Sequence, residues 1–140
     1  MIGKDRNFEL LNAFPGRIFS CYYPNNETDF TKDFDDRWEE NSYKVSVDRT
    51  MTLKLMLKYF VDQKIIIPNW VASSPLFPIF KKHLTNLVSI KEINEDKDGV
   101  EKINERIGAL PGGDHFGHAM NYLSIALRSK GSEPKSDFWW

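Results

Sequence analysis

Proline and glycine divide this chain of 140 residues into short segments whose patterns alternate between those of strands and those of helices. Residues 17–23 are rich in aromatic and β-favouring side chains, and residues 43–47 alternate with a period of two, so both segments predict strands. Residues 49–63 are apolar around more than half of their helical circumference, which is typical of a helix packed between layers. Strands mixed with helices predict an α/β fold.

The second half of the chain continues the same alternation. Residues 65–67, closed by a proline, predict a short buried strand, and residues 79–90 predict a helix with a basic exposed edge. Residues 94–99 predict a polar turn ahead of a possible strand over residues 100–110. A final helix is expected over residues 114–129.

One acidic segment, residues 27–42, leaves two interpretations open. Its Phe30, Phe34 and Trp38 are spaced four residues apart, which fits a single helical stripe. A loop that acts as a lid fits this segment nearly as well.

The composition places the chain among ordinary globular proteins. Hydrophobic residues make up 41% and charged residues 28%, and no stretch approaches the roughly 20 apolar residues that cross a bilayer. The first ten residues lack the apolar core of a signal peptide. A single cysteine, Cys21, excludes an internal disulfide framework and a multi-cysteine zinc site. These features predict a soluble protein in a reducing compartment.

The net charge of −1 conceals a basic middle segment. Residues 48–91 contain 7 basic and 2 acidic side chains, whereas residues 92–113 contain 3 basic and 6 acidic ones. The lysines of the basic segment could contact the phosphates of a DNA backbone, although lysines at this density are more often solvated on the surface. The lysines considered for DNA binding are Lys54, Lys58, Lys64, Lys81 and Lys82.

The last predicted helix contains the clearest candidate for a metal site. At about 100° per residue, its larger apolar side chains gather on one side, and Asp114, His118 and Asn121 gather on the opposite side. Asp114 directly follows a glycine pair, which lets the backbone approach another group closely. A carboxylate with an imidazole one turn later could hold a divalent cation. Alternatively, Asp114 caps its own helix.

Asp5 is a further candidate for the site, whereas His83 is not. Asp5 follows a possible strand end, and carboxylates at the carboxyl ends of strands in an open sheet point into the ligand crevice. Taken alone, Asp5 fits a surface residue better. His83 lies between lysines and leucine and is expected to have a plain surface role. No phosphate loop, G-x-S-x-G, H-E-x-x-H, CxxC or G-x-G-x-x-G motif occurs in the sequence.

Residues 112–122 read GGDHFGHAMNY, a run that resembles the closing motif of the nuclease domain in the large terminase subunits of tailed phages. Two further features are similar and lie in the same order. Residues 14–18 lead into a strand that ends at residues 22–24, and residues 47–50 open a helix that leads to residues 66–68. The resemblance extends over about residues 2–129.

The resemblance implies a ribonuclease H-like fold, a mixed sheet flanked by helices, which cuts double-stranded DNA during genome packaging. It implies two divalent ions, Mg²⁺ or Mn²⁺, held by an acidic cluster. Asp114 then corresponds to the last carboxylate of that site, and Asp5 corresponds to the middle one. His118 would position a ligand or contact the scissile phosphate.

The first carboxylate of such a nuclease, and the packaging ATPase that precedes it, have no counterpart in this sequence. Residues 1–130 are therefore expected to form the C-terminal part of the domain, followed by a tail over residues 131–140. The implied partners are double-stranded DNA, the ATPase portion, the small terminase subunit and the portal protein, in a packaging complex of the host cytoplasm without a membrane.

Two alternatives remain open. The same fold could serve as a non-catalytic module that grips DNA through its lysines or docks to the portal. The chain could also be a small α/β protein unrelated to terminases, whose final helix is merely capped by Asp114.

Overall fold

The computed structural model describes residues 9–24, 36–95 and 97–128. The chain divides into two compact units, one formed by Met1–Asp48 with Ile125–Trp140 and the other by Arg49–Ser124. Both units combine strands with helices, which confirms the α/β class. Asp5 and the tail over residues 131–140 lie outside the described residues.

The first unit contains a small mixed sheet of three strands. Residues 9–13 are helical and are followed by β1 (Ser20–Tyr22), β2 (Arg37–Glu39), a 3₁₀ turn (Glu40–Ser42) and β3 (Lys44–Ser46). β3 lies in the middle, parallel to β1 and antiparallel to β2. The two strands predicted in this part of the chain are confirmed, and in β1 Ser20 and Cys21 are half-buried whereas Tyr22 is exposed.

The core of this sheet includes Trp38, which one of the two interpretations of residues 27–42 places in a helix. Val45, Val47 and Ile125 are buried, and Trp38 packs against them from β2. The helical interpretation is therefore wrong at Trp38, because its segment pairs with β3 across a tight turn at Tyr43, whose φ is 50°. Phe30 and Phe34 lie outside the described residues.

Cys21 also packs against this core, and its surroundings predict low reactivity. Burial, together with the nearby negative charge of Asp36, raises the pKa of its thiol from 9.0 to about 11. The thiolate is the nucleophile, so alkylation by iodoacetamide at about pH 8 should be about 100-fold slower than that of an ordinary thiol. The rate should rise until the pH exceeds the raised pKa. Mass spectrometry of timed samples checks this, and a rate at pH 8 equal to that of free cysteine would contradict it.

The second unit contains four helices or helical segments and one hairpin. Its elements are α1 (Arg49–Val61), α2 (Asn69–Ala72), α3 (Phe77–Thr85), β4 (Leu87–Glu95), β5 (Glu101–Ala109) and α4 (His115–Arg128), whose last four residues belong to the first unit. β4 and β5 pair antiparallel from Leu87↔Ala109 to Glu95↔Glu101. The predictions of α1, of a strand over residues 100–110 and of the final helix are confirmed.

Two segments of the second unit differ from the predictions. Residues 64–68 take part in no strand pairing within the described part of the chain, and Ile66 is 78% exposed, so the predicted buried strand is wrong. The helix predicted over residues 79–90 ends at Thr85, and residues 87–90 begin β4 instead. The β-branched side chains of Val88 and Ile90 fit the pleated hairpin better than a helix.

The core of the second unit lies between α1 and the base of the hairpin. Its buried members come from α1, β4 and β5, and half-buried side chains of α3 and α4 pack against them. The buried members are Leu53, Met56, Leu87 and Ile107.

The face that α4 buries is not its most apolar one. Gly117, Asn121 and Ser124 are buried, whereas Leu123 and Leu127 are 51% and 61% exposed. The hydrophobic pattern alone would place the leucines inward. The small residue Gly117 instead allows close packing against Leu87, and a Cβ at that position would overlap the leucine side chain.

Candidate functional site

A glycine turn leads into α4 and fits closely against α3. Gly112 and Gly113 have φ values of 115° and 92°, in the region that favours glycine. A Cβ on Gly112 would lie 2.9 Å from Lys82 Cε, and a Cβ on Gly113 would lie 2.9 Å from His83 Nε2. The turn therefore needs glycine for its backbone conformation and also for the space that α3 leaves.

Replacing Gly113 by alanine should lower the free energy of unfolding by about 2–3 kcal/mol, because left-handed strain adds to the displacement of His83. Gly99 offers a matched control, since its φ is 74° but a Cβ there would meet nothing within 4 Å. Gly99→Ala should therefore cost only about 1 kcal/mol of strain. Urea unfolding measures both variants, and equal losses would contradict the close packing of the turn.

Two side chains near the end of α3 fix this turn. Asn86 is 7% exposed, and its side-chain Nδ2 donates to Gly113 O at 2.8 Å. The backbone carbonyl of Asn86 accepts from Leu110 N at 2.8 Å. His83 Nδ1 accepts from Phe116 N at 3.4 Å, in the first turn of α4. The expectation of a plain surface role for His83 is therefore wrong, because the half-buried imidazole caps a helix 33 residues away.

The structure brings Asp114 and His118 together at the start of α4. His118 Nε2 lies 3.1 Å from Asp114 Oδ2, and the two side chains are only 20% and 21% exposed. The Asp114 carbonyl accepts from His118 N at 3.1 Å, so Asp114 lies where the helix begins. Within the described residues, the hydrogen-bond partner of the Asp114 carboxylate is this imidazole.

Arg49, the first residue of α1, joins this pair from a distant part of the sequence. Its Nη1 donates to Ile107 O in β5, and its Nη2 lies 3.4 Å from His118 Nε2. Asp114 and Arg49 therefore contact the same imidazole nitrogen, and the Arg49–His118 contact joins residues 69 positions apart. We refer to Arg49, Asp114 and His118 as the Asp114 cluster. Arg49 was singled out only as part of the segment over residues 47–50.

The Asp114 cluster offers one ligand suited to a hard cation. Carboxylate oxygens are preferred by Mg²⁺ and Mn²⁺, so the chemistry of Asp114 fits the implied ions. No group of three or more His, Cys, Asp or Glu side chains gathers within residues 9–24, 36–95 and 97–128. Asp114 is thus the one described candidate for such a ligand, and the second candidate, Asp5, lies outside these residues.

Four of the five candidate DNA-binding lysines, Lys54, Lys58, Lys81 and Lys82, lie in different surroundings. On α1, Lys54 forms an ion pair with Glu105, and Lys58 forms one with Asp62 at 2.6 Å. The hydrogen bond from each lysine is the main cause that lowers the pKa of its partner carboxyl. On α3, Lys81 Nζ lies 5.3 Å from the centre of the Phe77 ring.

Lys82 is the only one of these four lysines that lies against the glycine turn leading to Asp114. It is exposed, like Lys58 and Lys81. Of these four lysines, the structure therefore places only Lys82 against the turn that precedes the Asp114 cluster.

No family model matches this chain, and no curated protein or solved structure matches it either. A functional interpretation therefore depends on the sequence motifs and on the contacts of the Asp114 cluster. Among the helices of the described residues, none combines the length and the apolar character needed to span a membrane.

Proposed function

We propose that this chain is the C-terminal part of a terminase-type nuclease domain with a ribonuclease H-like fold, which cuts double-stranded phage DNA. In this proposal Asp114 is one of the carboxylates that hold two Mg²⁺ or Mn²⁺ ions, and Asp5 is another. The partners would be the packaging ATPase portion, the small terminase subunit and the portal protein, within the packaging complex of the host cytoplasm.

One observation carries the proposal: two of the three segments that carry the resemblance meet in the fold. Residues 47–50 contribute Arg49, and residues 112–122 contribute Asp114 and His118. A helix cap alone would explain Asp114, but it would not require a half-buried imidazole and a guanidinium beside the carboxylate.

Each member of the Asp114 cluster has a defined role in the proposed reaction. Divalent cations held here would supply an activated water and charge stabilisation for a phosphodiester transition state. The Asp114 carboxylate would bind a cation, and the 3.1 Å contact with His118 Nε2 orients that carboxylate. The guanidinium of Arg49 adds positive charge next to the imidazole.

The non-catalytic alternative, a module that grips DNA or docks to the portal, has weaker support. Lys54 and Lys58 form ion pairs with Glu105 and Asp62, which leaves Lys64 and, on α3, Lys81 and Lys82. Exposed ion pairs contribute little to stability, so a phosphate could still compete for these lysines. This alternative predicts DNA binding that depends on salt but not on metal or on Asp114.

The test is the conversion of supercoiled plasmid to open circles by the full chain supplied with the upstream strands that carry the first carboxylate of such a nuclease. Nicking is expected in Mn²⁺ or Mg²⁺, with none in EDTA and none with Asp114→Asn in either ion. Nicking that persists in EDTA would contradict the proposal. Metal-independent DNA binding without nicking would favour the DNA-gripping alternative.

A further inference from the structure

Arg49 is a half-buried guanidinium with no carboxylate within 4.0 Å in the described part of the chain. Two other arginines do have carboxylate partners. Arg128, also half-buried, forms an ion pair with Asp36 at 3.1 Å, and the exposed Arg106 forms one with Glu92 at 2.9 Å. The Asp114 carboxylate contacts the same imidazole nitrogen as Arg49 but forms no ion pair with the guanidinium. Burial of a cation without a direct ion pair is costly, so the site of Arg49 can accept a further anion.

The guanidinium is held in place before any anion binds. Its Nη1 donates to Ile107 O, and its Nη2 lies against His118 Nε2. Only part of its five N–H donors is used by these contacts. A fixed planar guanidinium with remaining donors matches a phosphate group well, because two parallel hydrogen bonds can form with little loss of side-chain entropy.

The region around Asp114, which Arg49 reaches through His118, contains further groups that favour an anion. The glycine turn that precedes Asp114 lies against Lys82 and His83. In the proposed function the charge of the Asp114 carboxylate is taken up by divalent cations, so the charge of Arg49 is left for the substrate. The N-terminus of α4 lies at the same place and also favours an anion.

We propose that Arg49 binds a backbone phosphate of duplex DNA next to Asp114 and thereby positions the strand for cleavage. This inference rests on the proposed function, and it adds the positioning residue and the group of the substrate that it contacts.

The experiment measures the affinity of the full chain for a short fluorescent DNA duplex over a series of salt concentrations, with Ca²⁺ present. Each phosphate contact contributes about 0.9 to the slope of log K against log salt concentration. Arg49→Gln removes the charge, so we expect the slope to fall by about 0.9 and the affinity at low salt to fall about tenfold. Arg49→Lys, which keeps the charge but loses the planar fork, should retain the slope. Arg106→Gln is the matched control and should leave both values unchanged.

A purely structural role for Arg49 gives a different result. The bond to Ile107 O ties α1 to β5, so Arg49→Gln also lowers the melting temperature, and all affinities are measured below it. An unchanged salt slope with a lowered melting temperature would overturn the inference.

The inference and the proposed function can fail separately. A reduced salt slope in Arg49→Gln, together with no nicking by the unmodified chain in the plasmid test, would support the phosphate contact and contradict the nuclease proposal. Metal-dependent nicking with an unchanged slope would support the nuclease and overturn the phosphate contact.

Discussion

Replacing Asn121 by leucine is expected to lower the free energy of unfolding by about 3 kcal/mol. Asn121 is fully buried on α4, and its Nδ2 donates to Thr52 Oγ1 of α1 at 3.1 Å. Leucine has a similar volume but cannot donate, so Thr52 Oγ1 loses this donor and keeps its own donation to Arg49 O at 3.2 Å. The bond joins two helices 69 residues apart, and its loss should weaken the packing between α1 and α4.

Urea unfolding followed by circular dichroism measures this effect. Thr52→Val and the double variant complete a cycle, in which we expect a coupling energy of about 1 kcal/mol between Asn121 and Thr52. Leu123→Gln is the control, because Leu123 is 51% exposed on the same helix and should change stability by less than about 0.5 kcal/mol. An Asn121→Leu protein as stable as this control would show that the buried bond contributes nothing.

Replacing Asp114 by asparagine is expected to slow metal-dependent nicking at least about 100-fold. The amide is close in shape to the carboxylate and can still accept a hydrogen bond from His118. It has no negative charge, however, and binds Mg²⁺ or Mn²⁺ poorly. The variant therefore separates the charge of Asp114 from its contribution to the fold.

The control for this variant is Asp62→Asn. Asp62 is an acidic residue that pairs with Lys58 on the surface, and its replacement should leave the nicking rate within about twofold, as expected for an exposed pair. Both variants should melt within a few degrees of the unmodified protein. Nicking by Asp114→Asn at the unmodified rate would remove Asp114 from the proposed catalytic site.

Local patterns predicted the elements that form through local interactions. α1 and the strand β3 follow directly from their periodicities over residues 49–63 and 43–47. Short apolar runs were less informative, because residues 65–67 and 87–90 fit either a strand or a helix until pairing decides between them. β5 supplies that pairing for residues 87–90, and no strand within the described residues supplies it for residues 65–67.

The orientation of α4 could not be read from its hydrophobic pattern. Contacts with distant residues determine which face is buried: Gly117 packs against Leu87, and Asn121 binds Thr52. A pattern that counts only apolar side chains assigns no weight to a glycine that permits close approach or to a buried amide that donates to another helix.

The candidate site shows the same limit. The pairing of Asp114 with His118 follows from their spacing of four residues on one helix. Arg49 and His83 reach this region through contacts that join residues 69 and 33 positions apart, so their surroundings in the sequence contain no sign of them. The role of Asp5 remains a prediction, because it lies outside the described residues.

Binding of Mn²⁺ tests most directly whether Asp114 is a metal ligand. The electron paramagnetic resonance signal of free Mn²⁺ falls as the ion binds, so a titration gives the affinity without any DNA. We expect the unmodified chain and Asp62→Asn to bind Mn²⁺ equally, and Asp114→Asn to bind at least about tenfold more weakly. Equal binding by all three proteins, or no binding by the unmodified chain, would contradict the metal-dependent nuclease.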